Sequence, residues 1–178
     1  MIEIDDAGGG CFIGPEVLVI HRLETGEAWF YTIPTNIRER VFYATRILKR
    51  AFQELAISKN ETIRLCRGEI FDLFEAYLEE QHYQVIREKV SNATDRLAED
   101  KFMSILHSYG FPEYIKLVDR NYQEFYEMVS LWYYLQPKQV TAKLCKIRLR
   151  PPLRPKVVAR KYPNLVKRLL EESQSATG

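Results

Sequence analysis

Three strand-like segments within the first 33 residues restrict the fold more than any other feature of the chain. Residues 2–5 alternate Ile-Glu-Ile-Asp, the period-two pattern of a half-buried strand. Val17 to His21 is an apolar run. Leu23-Glu24-Thr25-Gly26-Glu27 reads as a hairpin turn with glycine at a left-handed position. Ala28 to Ile33, aromatic and β-branched, returns as a third strand, and Pro34 ends it because proline has no N–H for the ladder. Such closely spaced strands pair antiparallel, since parallel pairing needs a long crossover.

Beyond Pro34 the period lengthens. Asn36-Ile37-Arg38-Glu39 has the form of a capping box. Ile37, Val41, Ala44, Leu48, Ala51 and Leu55 then recur at helical spacing, which predicts a helix to about Ile57. Thr62 to Cys66 predicts a fourth strand, and Ile70, Leu73, Phe74, Tyr77 and Leu78 a second helix. Tyr83 to Val90 predicts a fifth strand. Asn92 or Thr94 caps a helix through His107, and Tyr109-Gly110-Phe111-Pro112 breaks it. A further helix is expected over about Glu113 to Leu135, with Trp132 in its core face, and a short last one over Pro163 to Glu172. The expected fold class is α/β: a mixed sheet of three antiparallel strands followed by parallel βα units, with a helical, basic C-terminal extension. The domain reading is 1–135 for the α/β domain and 136–178 for a proline-containing basic arm. Ligands of such sheets sit at the carboxyl ends of the strands.

Charge divides the chain in a similar way. Residues 1–127 carry 15 Lys/Arg against 22 Asp/Glu, while residues 128–170 carry 11 Lys/Arg and no acid. An acidic body with a basic segment suits a polyanion, or else the basic segment packs on the body. Lys143, Lys146, Arg148, Arg150 and Arg154 are spaced to lie along one face of an extended stretch and track a phosphate backbone. Trp132, Tyr133 and Tyr134 precede them, and aromatic platforms beside positive charge suit nucleic acid. No apolar run reaches the roughly 20 residues of a membrane span. Met1 to Asp6 carries acid where a signal peptide wants base, and Cys11, Cys66 and Cys145 are few and widely spaced. A cytoplasmic protein is the expectation. His21, His82 and His107 lack metal-ligand spacing, and no P-loop or nucleophile elbow is present.

The residues that carry chemistry are Asp5 and Asp6, which end the first strand directly before Ala7-Gly8-Gly9-Gly10. Adjacent carboxylates repel unless a cation lies between them, and hard cations such as Mg²⁺ prefer oxygen ligands. The same residues also make an ordinary polar turn.

The stretch Asp5-Asp6-Ala7-Gly8-Gly9-Gly10-Cys11-Phe12-Ile13-Gly14-Pro15-Glu16-Val17 resembles, without a gap, the opening motif of type 2 ribonuclease H. That family reads Asp-Glu-Ala-Gly-Arg-Gly, then proline, two apolar residues, Gly-Pro and an apolar strand. A fainter echo lies at Val90-Ser91-Asn92-Ala93-Thr94, with Tyr109-Gly110-Phe111 after the helix. The order of elements is that of the ribonuclease H-like fold. The resemblance implies metal-dependent hydrolysis of a phosphodiester in an RNA–DNA hybrid or other RNA-containing duplex. It implies Mg²⁺ or Mn²⁺ held by Asp5 and Asp6, and a substrate-reading loop at Gly8, Gly9 and Gly10. A two-metal site needs further carboxylates. Topology places them after the fourth strand, where Glu69 is the candidate and Asp72 the alternative, and at the helix after the fifth, where Asp95 is the candidate. The chain departs from the family at Asp6 (glutamate there), Gly9 (arginine there) and Cys11 (proline there), and the family's late Lys-Gly-Tyr segment is absent. Two other readings stay open: a non-catalytic nucleic-acid-binding protein on the same fold, and an acidic scaffold that docks a protein partner through its basic arm.

Overall fold

Isoleucines at positions 2 and 4 lie fully buried on one side of the sheet, while Glu3, Asp5 and Ala7 turn to the other. The computed structural model describes residues 1–118, 120–136, 142–150 and 155–175. Strands β1 (Ile2–Ala7), β2 (Glu16–Arg22) and β3 (Glu27–Ile33) form the antiparallel part. β4 (Thr62–Leu65) pairs parallel with β1, and β5 (Gln84–Arg87) parallel with β4. The sheet order is β3-β2-β1-β4-β5, which is consistent with a ribonuclease H-like fold. Helices connect and flank it: α1 (Arg40–Glu54), α2 (Asp72–Glu80), α3 (Asn92–Ser108), α4 (Tyr122–Leu135), α5 (Pro155–Lys161) and α6 (Pro163–Ser175). Among the described residues no helix is long and apolar enough to cross a membrane.

Each sheet face has its own core. Ile2, Ile4, Leu18 and Ile20 meet Leu48 and Phe52 of α1 and Phe74 and Leu78 of α2. Ala7, Val17 and Val19 meet Phe102 and Leu106 of α3, with Phe125, Val129 and Trp132 of α4 behind them. Val158 of α5 and Leu169 of α6 belong to this second core, so the C-terminal helices pack on the body. Each such buried side chain contributes about 1.5–3 kcal/mol.

Glu3 is fully buried on the α3 face. Its carboxylate accepts from the Ser91 backbone N–H at 3.1 Å, the Ser91 hydroxyl at 2.5 Å and Arg64 Nη1 at 2.6 Å. The Thr94 hydroxyl donates to it as well, and Thr94 Oγ1 also lies 2.8 Å from His21 Nδ1. Ser91 in turn caps α3 by accepting from the Thr94 N–H at 3.3 Å. One buried acid therefore ties β1 to β4 and to the start of α3.

Several sequence expectations move. α1 starts at Arg40 rather than in the Asn36 box, and Glu39 at its N-cap makes no side-chain capping bond. β5 covers Gln84–Arg87, shorter than Tyr83 to Val90. The helix expected from Glu113 starts at Tyr122, because Arg120 takes a left-handed φ of 58° that no helix accommodates. In the basic segment a 3₁₀ turn at Ala142–Leu144 and helix α5 replace part of the expected extended chain.

Candidate functional site

Asp5 and Asp6 leave the carboxyl end of β1, the middle strand of the sheet. Strand alternation sends them to opposite faces. Asp5 goes to the α3 side, where the Cys66 thiol from the end of β4 donates to it. Burial raises the Asp5 carboxyl above its ordinary value, and the thiol bond offsets part of that. The Cys66 thiol is pushed up to about 12, by burial first and then by its bond to Asp5. It is a neutral donor, not a thiolate. Asp5, Asp6 and Asp95 line one cavity of about 240 Å³ together with Cys66, Lys89 and Arg120.

Asp6 turns to the α1 side and meets Glu16, the first residue of β2. Burial, followed by the negative charges of Glu16 and Asp5, holds the Asp6 carboxyl well above the usual carboxylate range. Glu16 is itself 1% exposed. Arg40 Nη1 binds it at 2.6 Å, and Arg148 Nη2 lies 3.4 Å from its other oxygen. Two glycines lie close against this pair. A Cβ on Gly9 would sit 2.5 Å from Glu16 Oε1 and 3.4 Å from Asp6 Oδ2, and one on Gly68 3.0 Å from Asp6 Oδ1. A side chain at position 9 would have to push the Glu16 carboxylate out of its place between Arg40 and Arg148. Gly8, Gly9 and Gly10 also wall a neighbouring cavity of about 220 Å³, with Phe102, Tyr122 and Tyr126 opposite.

Of the other expected acids, Asp95 borders the Asp5–Asp6 cavity, whereas Glu69 and Asp72 lie outside it. Glu69 opens the turn before α2, as topology required, but its side chain is 75% exposed and engages Arg40 Nη2 at 2.6 Å. Asp72 pairs with Arg87 at 2.8 Å. Asp95 sits in the first turn of α3 and is ion-paired with Arg120. Among the described residues, no group of three or more His, Cys, Asp or Glu side chains is set as a preformed metal cluster.

The basic segment is fastened to the glycine loop rather than laid over solvent. Gly14 N–H donates to Leu144 O at 2.8 Å and Lys146 N–H to Phe12 O at 2.6 Å, around a bridge between Ile13 and Cys145. Lys146, expected to face phosphate, is 4% exposed. Its Nζ donates to Cys11 O at 2.5 Å and to Ile13 O at 3.4 Å, and burial lowers it to about 8. Arg148 donates to Gly9 O at 2.6 Å as well as facing Glu16. Lys143 and Arg150 are exposed; Arg154 lies outside the described residues. Among the four that are described, Lys146 and Arg148 turn inward, so these do not form a single outward face.

Two site residues escaped the sequence reading. Glu16 precedes the run predicted as a strand, Val17 to His21; its signal is an acid directly after Gly-Pro, where the returning chain brings it beside Asp6. Cys66 was passed over as a lone thiol, although it ends the strand that topology places against β1. The chain matches no protein-family model and no curated protein.

Proposed function

We propose that the chain is a divalent-metal-dependent hydrolase acting on phosphodiesters of RNA-containing nucleic acid. One observation carries the reading: an acid pair at the carboxyl end of the middle strand, kept open by glycines, inside a sequence resembling the type 2 ribonuclease H motif. A cation would have to draw its oxygen ligands together on binding, since no such cluster is preformed among the described residues. Asp5, Asp6 and Asp95 border a common cavity and offer only oxygen, whereas Glu69 is turned to Arg40. A cation held there would supply Lewis acidity and a more acidic bound water. The chain's own residues contribute position and charge. Arg40 and Arg148 neutralise Glu16, which leaves Asp5 and Asp6 as the oxygen donors that a cation would deprotonate and hold. The Cys66 thiol holds Asp5, and the bare backbone at Gly68 leaves room for Asp6.

A second reading, a non-catalytic nucleic-acid-binding protein, is favoured by one feature. The groups nearest the acid pair are already satisfied: Asp95 by Arg120, Glu69 by Arg40 and Asp5 by a thiol. One experiment separates the two. An RNA–DNA hybrid and a DNA duplex carrying a single ribonucleotide are incubated with the protein and Mg²⁺ or Mn²⁺. The expected result is cleavage of the RNA strand, a metal-dependent rise in Tm by mass action, and loss of both in Asp5→Asn with the metal-free Tm kept. Gly9 offers no guanidinium, so cleavage should show little preference for the single ribonucleotide. Binding without cleavage would assign the second reading.

A further inference from the structure

We propose that the groove at the start of α1 binds a single-stranded stretch of nucleic acid, with Phe42 as stacking platform and Arg38 and Arg46 as phosphate contacts. This deepens the nucleic-acid reading of the acid site and rests on it. The groove encloses about 610 Å³ and is bordered by Asn36, Arg38, Phe42, Tyr43 and Arg46.

Three observations converge there. Phe42 is 65% exposed, more than any other large hydrophobic side chain among the described residues. The buried stripe of α1, through Ala44, Leu48 and Ala51, faces elsewhere, so packing of the fold does not require an aromatic ring at position 42. Second, Arg38 and Arg46 are exposed and form no ion pair among the described residues, whereas Arg22, Arg40, Arg64 and Arg87 each hold a carboxylate. Glu39 is the one acid in the groove, against two guanidiniums. Arg46 lies four residues after Phe42, on the same helix face, with its guanidinium 5.0 Å from the Tyr43 ring centre. Third, the groove adjoins the acid centre. Arg40, within the same turn, reaches Glu16 and Glu69. Thr35, one residue before the groove, accepts from the Ile147 N–H at 2.9 Å and donates to Lys143 O at 3.2 Å, which brings exposed Lys143 to the same edge.

The chemistry selects the ligand. Guanidiniums without carboxylate partners favour a polyanion, and an exposed ring between them offers a face to an unpaired base. A duplex presents no free base faces, so a strand rather than a double helix fits. From Arg40 to Arg46 the helix rises about 9 Å at 1.5 Å per residue. Phe42 and Arg46 share a helix face that Arg40 does not, so a strand leaving the acid centre would cross the first turn of α1 to reach the ring.

The test uses the full chain in EDTA, so that binding is read without cleavage. Fluorescence anisotropy compares labelled oligo-U, oligo-dT and a duplex of equal length. Both single strands should bind more tightly than the duplex. Phe42→Ala should weaken them about tenfold, the scale of one lost stacking contact, with Tm unchanged because the ring is exposed. Arg38→Gln with Arg46→Gln should reduce the slope of log K against log salt by about 1.4, at about 0.7 per phosphate. No single-strand binding by the wild-type chain, or equal binding by the variants, would overturn the proposal. So would a Phe42→Ala variant that changes oligomeric state but not oligonucleotide affinity, which would mark the groove as a contact between copies. The two proposals fail separately. Groove variants that lose binding in a chain that never cleaves would leave the groove and remove the hydrolase; cleavage with groove variants that bind normally would do the reverse.

Discussion

At the scale of single residues, the fully buried Glu3 carboxylate shows how a charge is kept in this interior. Burial alone would raise its pKa. Donation from Ser91, Thr94 and Arg64 outweighs that and holds it below the ordinary value of 4.5. Its folded pKa is depressed, so its stabilisation is complete above the unfolded value and is lost as pH falls through the folded one. Glu3→Gln should cost roughly 3 kcal/mol at pH 7, since it leaves buried donors poorly matched. In denaturant titrations the gap between wild type and variant should be constant above about pH 5 and close below pH 4.5. A gap that persists unchanged at low pH would mean that shape, not charge, makes Glu3 necessary.

At the scale of elements, the loop from Gly8 to Gly14 is the part most tightly specified by its surroundings. Gly9→Ala places a methyl 2.5 Å from Glu16 Oε1. The cost, about 1 kcal/mol, is that of moving the Glu16 carboxylate off Arg40 and Arg148. In a double-mutant cycle the cost should largely vanish in a Glu16→Ala background, because the clash is with that side chain. An equal cost in both backgrounds would place the strain in the backbone. Local pattern made much of the framework legible: alternation in β1, the turn where Gly26 takes a φ of 72°, and the 3.6-residue period of α1. It misplaced the start of α4, since Val118 continues the helical spacing of Tyr122, Phe125, Val129 and Trp132 whereas Arg120 turns left-handed. The acid pair was legible because two carboxylates beside three glycines are conspicuous in the sequence. Glu16 and Cys66 were not, because what makes them matter is a neighbour on another strand. Lys146 was misread for the same reason: a run of cations looks solvated until the carbonyls of Cys11 and Ile13 are seen to accept from one of them.

At the scale of the whole molecule, the acidic body and the basic segment form one packed unit. Val158 and Leu169 are 1% and 4% exposed in the α3-face core. Lys161 and Tyr162 close on Glu127 of α4 at 2.6 and 2.8 Å. Leu169→Ala should therefore cost about 2–5 kcal/mol, as a core deletion does. Truncation after residue 150 should give a chain that melts earlier and exposes apolar surface to a hydrophobic dye. An unchanged melt would return residues 155–175 to the status of a detachable arm. The fastening of residues 142–150 to the glycine loop also sets an order of events during synthesis. Lys146 meets a carbonyl 135 residues earlier in the chain. A ribosome adding roughly 5–20 residues per second displays Asp5, Asp6 and Gly9 for many seconds before Arg148 leaves the exit tunnel. During that interval Glu16 has Arg40 alone for company, and residues 12–14 have no strand to bond. The acid centre is made early and finished late, so a nascent chain still tethered to its messenger RNA holds these carboxylates without the completed loop.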